Sequence, residues 1–354
     1  MKNNYLAGFL FVLAGVLLLV WSIDGKVSFF QWSTGERELL ENRQFGQSFE
    51  QLDIEASSTD VTFKRSDDNA LHVNVYGYAS QQDDYRLEVD EQGDTLRVVY
   101  EKNSTFSLFA FNRGHRLEIS LPDRAIRSLD VHSSSGHIRS ETHIEADQVR
   151  MKASSGDVIL GTIHATLLEV TTSSGDVLAD ADLEAGEIVW KSSSGDMAMR
   201  TVRTGTLALE TNSGDADAEF ITADLLTVDG SSGDMDVAEC ACSQLKVDLS
   251  SGDVEIDALT GTVDIDVQSG EVELRNWDVS SDSSIKASSG DVQIRLRDQH
   301  QALELDLRAS SGDKQVVLPD FTMMSSDKQR LTGQIGSGGP KLVVQTSSGD
   351  IDVK

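Results

Sequence analysis

One short motif recurs along this chain and limits what it can fold into: Ser-Ser-Gly-Asp. With the glycine as origin it stands at Gly136, Gly156, Gly175, Gly195, Gly214, Gly233, Gly252, Gly270, Gly290, Gly312 and Gly349. Up to Gly312 the spacings are 18 to 22 residues, mostly 19 or 20. The residue before the glycine is Ser in all eleven copies; the residue after it is Asp in nine, with His137 and Glu271 in the other two. A fixed period of this size marks a repeat architecture, in which each unit buries its apolar side chains only by stacking on its neighbours.

The apolar residues keep one register against that glycine. Seven and five positions before it stand pairs such as Leu129/Val131, Ile188/Trp190 and Leu245/Val247. Two and four positions after it stand Val158/Leu160, Met197/Met199 and Val254/Ile256. A further one sits at plus seven in Ile163, Val202, Ile221, Cys240, Leu259 and Trp277. Period two within a group means strand, and three groups per turn predict a three-sided parallel β-helix. The expected fold class is all-β: a right-handed solenoid of about a dozen coils, each of 18 to 22 residues. At roughly 4.8 Å per coil it forms a rod of about 55–60 Å. Inward residues change parity across the glycine, so one residue must be absorbed in a bend. Glycine takes a positive φ there without penalty, while the Ser hydroxyl and Asp carboxylate bond to nearby backbone. The motif is therefore a corner before it is a site.

Ahead of the array the sequence divides into four segments. Residues 1–4 are a short cytoplasmic N-terminus, and 5–23 are an uncharged apolar run (YLAGFLFVLAGVLLLV from Tyr5 to Val20) long enough to cross a bilayer. No small-residue cleavage site follows, so an uncleaved signal anchor is expected, with the bulk of the chain extracellular or periplasmic. Residues 24–48 form a juxtamembrane spacer in which Glu36–Arg43 reads as a short charged helix. Residues 49–128 hold a first degenerate coil, with Thr59 in the glycine slot, and a strand-rich cap. The cap strands are Leu71–Tyr78, Tyr85–Asp90, Thr95–Glu101 and Arg116–Leu121, with an aromatic cluster of Phe106, Phe109 and Phe111. Residues 129–354 are the β-helix repeat domain. Near its end Asp320–Arg330 reads as a protruding loop, with Met323 and Met324 in core contact.

A formal net charge of −29 disfavours nucleic acid and anionic lipid surfaces. The two cysteines, Cys240 and Cys242, supply no disulfide framework and are expected as free thiols. His132, His137 and His143 are the one histidine grouping and read as surface residues. Stacked coils place Asp157, Asp176, Asp196, Asp215, Asp234 and Asp253 in a ladder. Neighbouring charges about 4.8 Å apart repel by about 0.9 kcal/mol in water. Hydrogen bonds, protons or a cation must relieve that repulsion, and weakly bound Ca²⁺ is the one candidate cofactor. No catalytic residues are assigned.

The opening coil, the Arg-Leu-Glu-Ile-Ser-Leu-Pro strand at 116–122 and the Ser-Ser-Gly-Asp coils resemble the bacterial β-strand-repeat envelope proteins grouped as a "putative adhesin" family. So does the closing G-x-I-G-S-G-G-P-K-L-x-V-x-T-S-S-G-D stretch at 333–350. The resemblance spans about residues 45–354 and implies a β-helix in the cell envelope with no catalytic residues to carry over. The expected function is a membrane-anchored, non-enzymatic surface or binding scaffold, adhesin-like, with an envelope protein or a cell-wall polysaccharide as partner. The alternatives are an envelope-stress sensor working with a membrane partner and, more remotely, a polysaccharide-active β-helix enzyme.

Overall fold

The computed structural model describes residues 37–46, 49–78, 85–102, 114–297 and 302–354. The expected anchor and Phe106, Phe109 and Phe111 lie outside them. Every described element is a strand. Burial alternates along the strands as the period-two pattern requires. In Met235–Ser251 the side chains of Met235, Val237, Cys240, Cys242, Leu245, Val247 and Leu249 point inward.

Successive coils pair in parallel, like position on like position. Leu168 faces Ile188, Ile188 faces Leu207, Leu207 faces Leu226, and Leu226 faces Leu245. Each coil leaves its inner apolar row for the next to cover, which is why the core is one continuous column. The solenoid completes about nine turns, fewer than the dozen that the motif count suggests. The stretches at 51–65, 303–316 and 341–353 supply strands and a corner to the stack, yet the chain leaves each of them before closing a circuit.

Stacking order departs from sequence order at both ends. Corner glycines rest on one another in succession from Gly136 over Thr59 to Gly290 over Gly270; Gly349 then rests on Gly290, and Gly312 on Gly349. The last coil in sequence is thus inserted beneath the one before it, with Ile285 paired to Val344 and Leu305 to Leu342. At the other end Gln51–Ala56 is sandwiched between Ile126–Ser133 on its inner side and Thr95–Lys102 on its outer side.

Both outer tiers are then closed by antiparallel strands. Tyr85–Gln92 covers Thr95–Lys102, and Leu71–Gly77 covers Arg116–Leu121. At the far end Arg330–Ile335 covers Leu303–Ser311. An antiparallel partner halts the parallel register and occupies hydrogen-bonding groups that would otherwise recruit another chain.

Three expectations are corrected here. The charged spacer is no helix: Glu38–Phe45 is a strand on the edge of Leu71–Gly77, because edge pairing outweighs the modest helix preference of its Glu and Leu residues. The stretch at 320–330 is not a loop but one arm and the turn of a hairpin, in which Thr322–Ser326 pairs with Arg330–Ile335. Met323 and Met324 are 56% and 68% exposed on it, and make no core contact of the kind expected.

Candidate functional site

The corner is built differently from the sequence expectation. Three positions before the glycine is a further buried residue, such as Ala153, Thr172, Ser192 or Thr211, and the glycine itself is buried from Gly136 to Gly214. The two residues between them, Ser173 and Ser174 in one tier, are both exposed. The change of phase therefore occurs in the Ser-Ser pair. At every corner copy a Cβ on the glycine would come closer than 3 Å to the backbone of the tier beneath. Only from Gly233 onward does the corner φ enter the positive range, at 133° to 152°. Close approach of backbones, common to all copies, is what requires glycine; the positive φ is an addition in the later ones. The hydroxyl that ties the turn lies three residues back: Gly195 N–H donates to Ser192 Oγ at 2.8 Å, and Gly214 N–H to Thr211 Oγ1 at 2.9 Å.

The aspartate completes the ladder where the corner breaks it. Its carbonyl accepts from the preceding tier, as when Val158 N–H donates to Asp176 O at 2.8 Å. Its N–H meets no carbonyl and donates instead to the side chain of the aspartate beneath. Asp176 N–H bonds to Asp157 Oδ1 at 3.0 Å, and the pattern repeats from Asp196 to Asp176, Asp215 to Asp196, Asp234 to Asp215 and Asp253 to Asp234. Each carboxylate thus does the work of a missing backbone carbonyl, and each N–H lowers the cost of stacking like charges. His137 fits the same column because its Nδ1 accepts Asp157 N–H at 3.1 Å. The six candidate cation ligands Asp157, Asp176, Asp196, Asp215, Asp234 and Asp253 do form one column, with Oδ1 engaged in each of the first five by the tier above and in Asp253 by Glu271 N–H. Among the described residues no three acidic, His or Cys side chains converge as a metal site.

The histidines separate. His132 is exposed, His143 packs edge-on against His164 with centroids 4.7 Å apart, and His137 belongs to the ladder. Cys240 and Cys242 are free and buried, as expected of thiols, though they point the same way with Sγ atoms 3.1 Å apart. They occupy the inward pair that Ile221 and Ala223 fill one tier earlier. Their mutual hydrogen bond, then burial, pushes the Cys240 thiol far up.

Outward columns three and five residues after the corner glycine carry the remaining chemistry, which the repeat register alone did not single out. Arg275 lies across Glu255, Asp257 and Glu273, with Nη1 2.5 Å from Asp257 and Nη2 2.7 Å from Glu273. Nearer the first coils a concavity of about 540 Å³ is lined by Leu178, Ala198, Arg200, Asp217, Glu219 and Ala238 among others. A second, of about 460 Å³, is lined by Asp60, Arg116, His137, Arg139, Glu141 and Asp157. Both are shallow and lie on the outside of the coils, a geometry suited to contact along a face rather than to enclosing a small molecule.

The profile of the family described as Toastrack DUF4097 matches residues 49–184 and again 180–354. This chain belongs to that family. No curated protein matches it in sequence. Among solved structures, this Toastrack chain is similar to a "putative adhesin" of Bacteroides fragilis at 15% identity, covering 64% of this chain and 96% of that one with a TM-score of 0.43. It is similar to a "putative lipid binding protein" of Parabacteroides distasonis at 16% identity, covering 91% and 98% with a TM-score of 0.42. A "putative adhesin" of the same organism aligns at 12% identity over 91% and 98%, with a TM-score of 0.35.

Proposed function

We propose that this Toastrack chain is a non-enzymatic binding scaffold of the cell envelope, held to the membrane by residues 5–23 and presenting its solenoid on the outer side. The observation that carries the reading is the aspartate ladder. The one polar motif that the chain repeats is occupied tier after tier in closing its own backbone. What is left for a partner is the outward columns between corners, which offer shallow, strongly acidic faces. The apolar run at 5–20 supports the anchor, and its position ahead of the strands supports a tethered rod.

Crosslinking in intact cells, followed by purification of the full chain from membranes, tests the scaffold. The reading expects an envelope protein or wall component joined to the solenoid; a chain that crosslinks to nothing in the envelope overturns it. Carbonate extraction and external protease test the anchor and its orientation separately. Weak Ca²⁺ association with the aspartate ladder belongs to the same proposal; an unchanged melting midpoint in Ca²⁺ against chelator removes that element of it.

A further inference from the structure

Arg275 shows how this surface holds a guanidinium. It stands five residues after its corner glycine, Gly270; Glu273 stands three after the same glycine. Glu255 and Asp257 stand three and five after Gly252, in the adjoining tier. Two tiers back the same three carboxylates recur. Asp236 is three after Gly233, while Asp217 and Glu219 are three and five after Gly214. The place of the arginine is taken by Ala238. The solenoid thus repeats the acidic half of the Arg275 clamp without its cation, and the concavity of about 540 Å³ opens there.

Asp217 and Asp236 have no ion-pair partner among the described residues, and Arg200, which lines the same concavity, turns to Asp182 at 3.6 Å. Burial, then the charge of Asp236, holds the Asp217 carboxyl above its usual range; burial, then Glu255, does the same for Asp236. Asp217 is a carboxylate short of a positive neighbour, while the charge of Arg275 offsets only part of the shift at Asp236. Along the column from Asp217 lie Ala198 and then Leu178, which is 40% exposed. The groove therefore carries an apolar strip of Leu178 and Ala198 at one end, flanked by Asp180 and Arg200, and is acidic at the other.

We propose that this groove binds an arginine side chain of a partner protein across Asp217, Glu219 and Asp236, with an apolar side chain of the same segment on Leu178 and Ala198. The inference rests on the scaffold reading above and specifies the chemistry of the partner. Carboxylates spread over two tiers suit the flat, multi-donor guanidinium better than the point charge of lysine. They do not converge as a divalent ion requires. Leu178 lies two tiers from Asp217, roughly 10 Å, which an extended chain covers in about three residues. The segment that fits reads Leu-x-x-Arg.

The test uses the full chain in mild detergent and a labelled peptide, acetyl-Leu-Ser-Ser-Arg-Ser-amide, beside versions with citrulline or lysine at the arginine. The expectation is about tenfold weaker binding of the citrulline peptide, and about tenfold weaker binding of the arginine peptide to Ala238→Arg, whose own side chain fills the groove. Ala238→Arg also raises Tm by about 2 °C where Ala238→Gln does not. Equal binding of arginine and citrulline peptides, or undiminished binding to Ala238→Arg, overturns the proposal. Should Ala238→Arg not fold, Asp236→Asn with Glu219→Gln must weaken the arginine peptide alone. The peptide measurement is independent of envelope crosslinking, so a scaffold without an arginine groove and a groove on a chain with no envelope partner give different results.

Discussion

The middle coils and the end tiers solve the same problem in opposite ways. In the middle, each tier is held by what lies directly above and below: parallel strands, a glycine seated on a glycine, an aspartate bonded to the next N–H. At the ends the chain leaves sequence order, turns antiparallel, and is locked by particular side chains found once. At one end Tyr100 Oη lies 2.6 Å from His115 Nδ1, with Tyr85 stacked on the ring at 4.0 Å. At the other, Asp306, only 2% exposed, is gripped by Arg308 at 2.7 Å and Arg330 at 2.8 Å, with Lys341 at 3.7 Å. Repetition makes the middle insensitive to which residue sits outside, whereas the ends depend on single contacts.

The sharpest way to break this contrast is at glycine. Gly214→Ala drives a Cβ into the carbonyl of Gly195 and must force the two tiers apart; a loss of more than about 4 kcal/mol in chemical denaturation is expected. Gly93→Ala, in the turn of the cap hairpin, meets nothing within 4 Å and suffers only the cost of a φ of 67°, about 1 kcal/mol. Equal losses at the two sites would erase the distinction between steric and conformational glycines.

Next comes the Asp306 lock. Asp306→Ala removes the anion that joins the terminal hairpin to the outer tier, and a loss of about 2 kcal/mol is expected, half-exposed arginines limiting the penalty. Arg330 and Arg308 outweigh burial and hold the Asp306 carboxyl well below its usual range. Its stabilisation is therefore fully present above the ordinary carboxylate value near 4 and drains away as pH falls toward the depressed one. Hydrogen exchange of residues 322–335 should accelerate below about pH 4 in the parent chain and at all pH values in Asp306→Ala. No acid-dependent difference between the two would sink the lock.

The smallest effect belongs to the ladder. Asp215→Ala leaves Asp234 N–H without its acceptor and should cost about 1 kcal/mol. Asp215→Asn keeps an oxygen in place and removes one of a row of like charges, so its change should stay within about 0.5 kcal/mol. A large loss with asparagine would mean that the charge matters more than the hydrogen bond, as it would if the column held a cation.

Much of the core was legible from the sequence. The pairs at minus seven and minus five are buried from Leu129 to Val344, and those at plus two and plus four from Ile138 to Ile294 apart from the half-buried Ala218. At Gly312 the plus-two and plus-four places fall to Lys314 and Val316, which are only half-buried. The reason is physical: strand side chains alternate, and a repeated coil has only one way to face all its apolar groups inward. The corner was legible in place but not in cause, because a sequence shows that glycine is needed without showing the carbonyl on which it sits. The acidic groove was present in the same register, in Asp217, Glu219, Asp236 and Ala238. It has meaning only beside the Arg275 clamp two tiers away, a comparison that requires knowing which columns face outward.

The sequence by itself determined the period, the inward face and the glycine corner, since these follow from local geometry repeated many times. Only the tertiary structure decided the order of the tiers at the ends. Nothing in residues 341–353 says that they stack beneath 303–316 rather than beyond it, because every coil presents the same apolar row to its neighbour. That choice was made by the hairpin at 322–335 and the Asp306 lock, contacts between segments whose partnership no periodicity encodes.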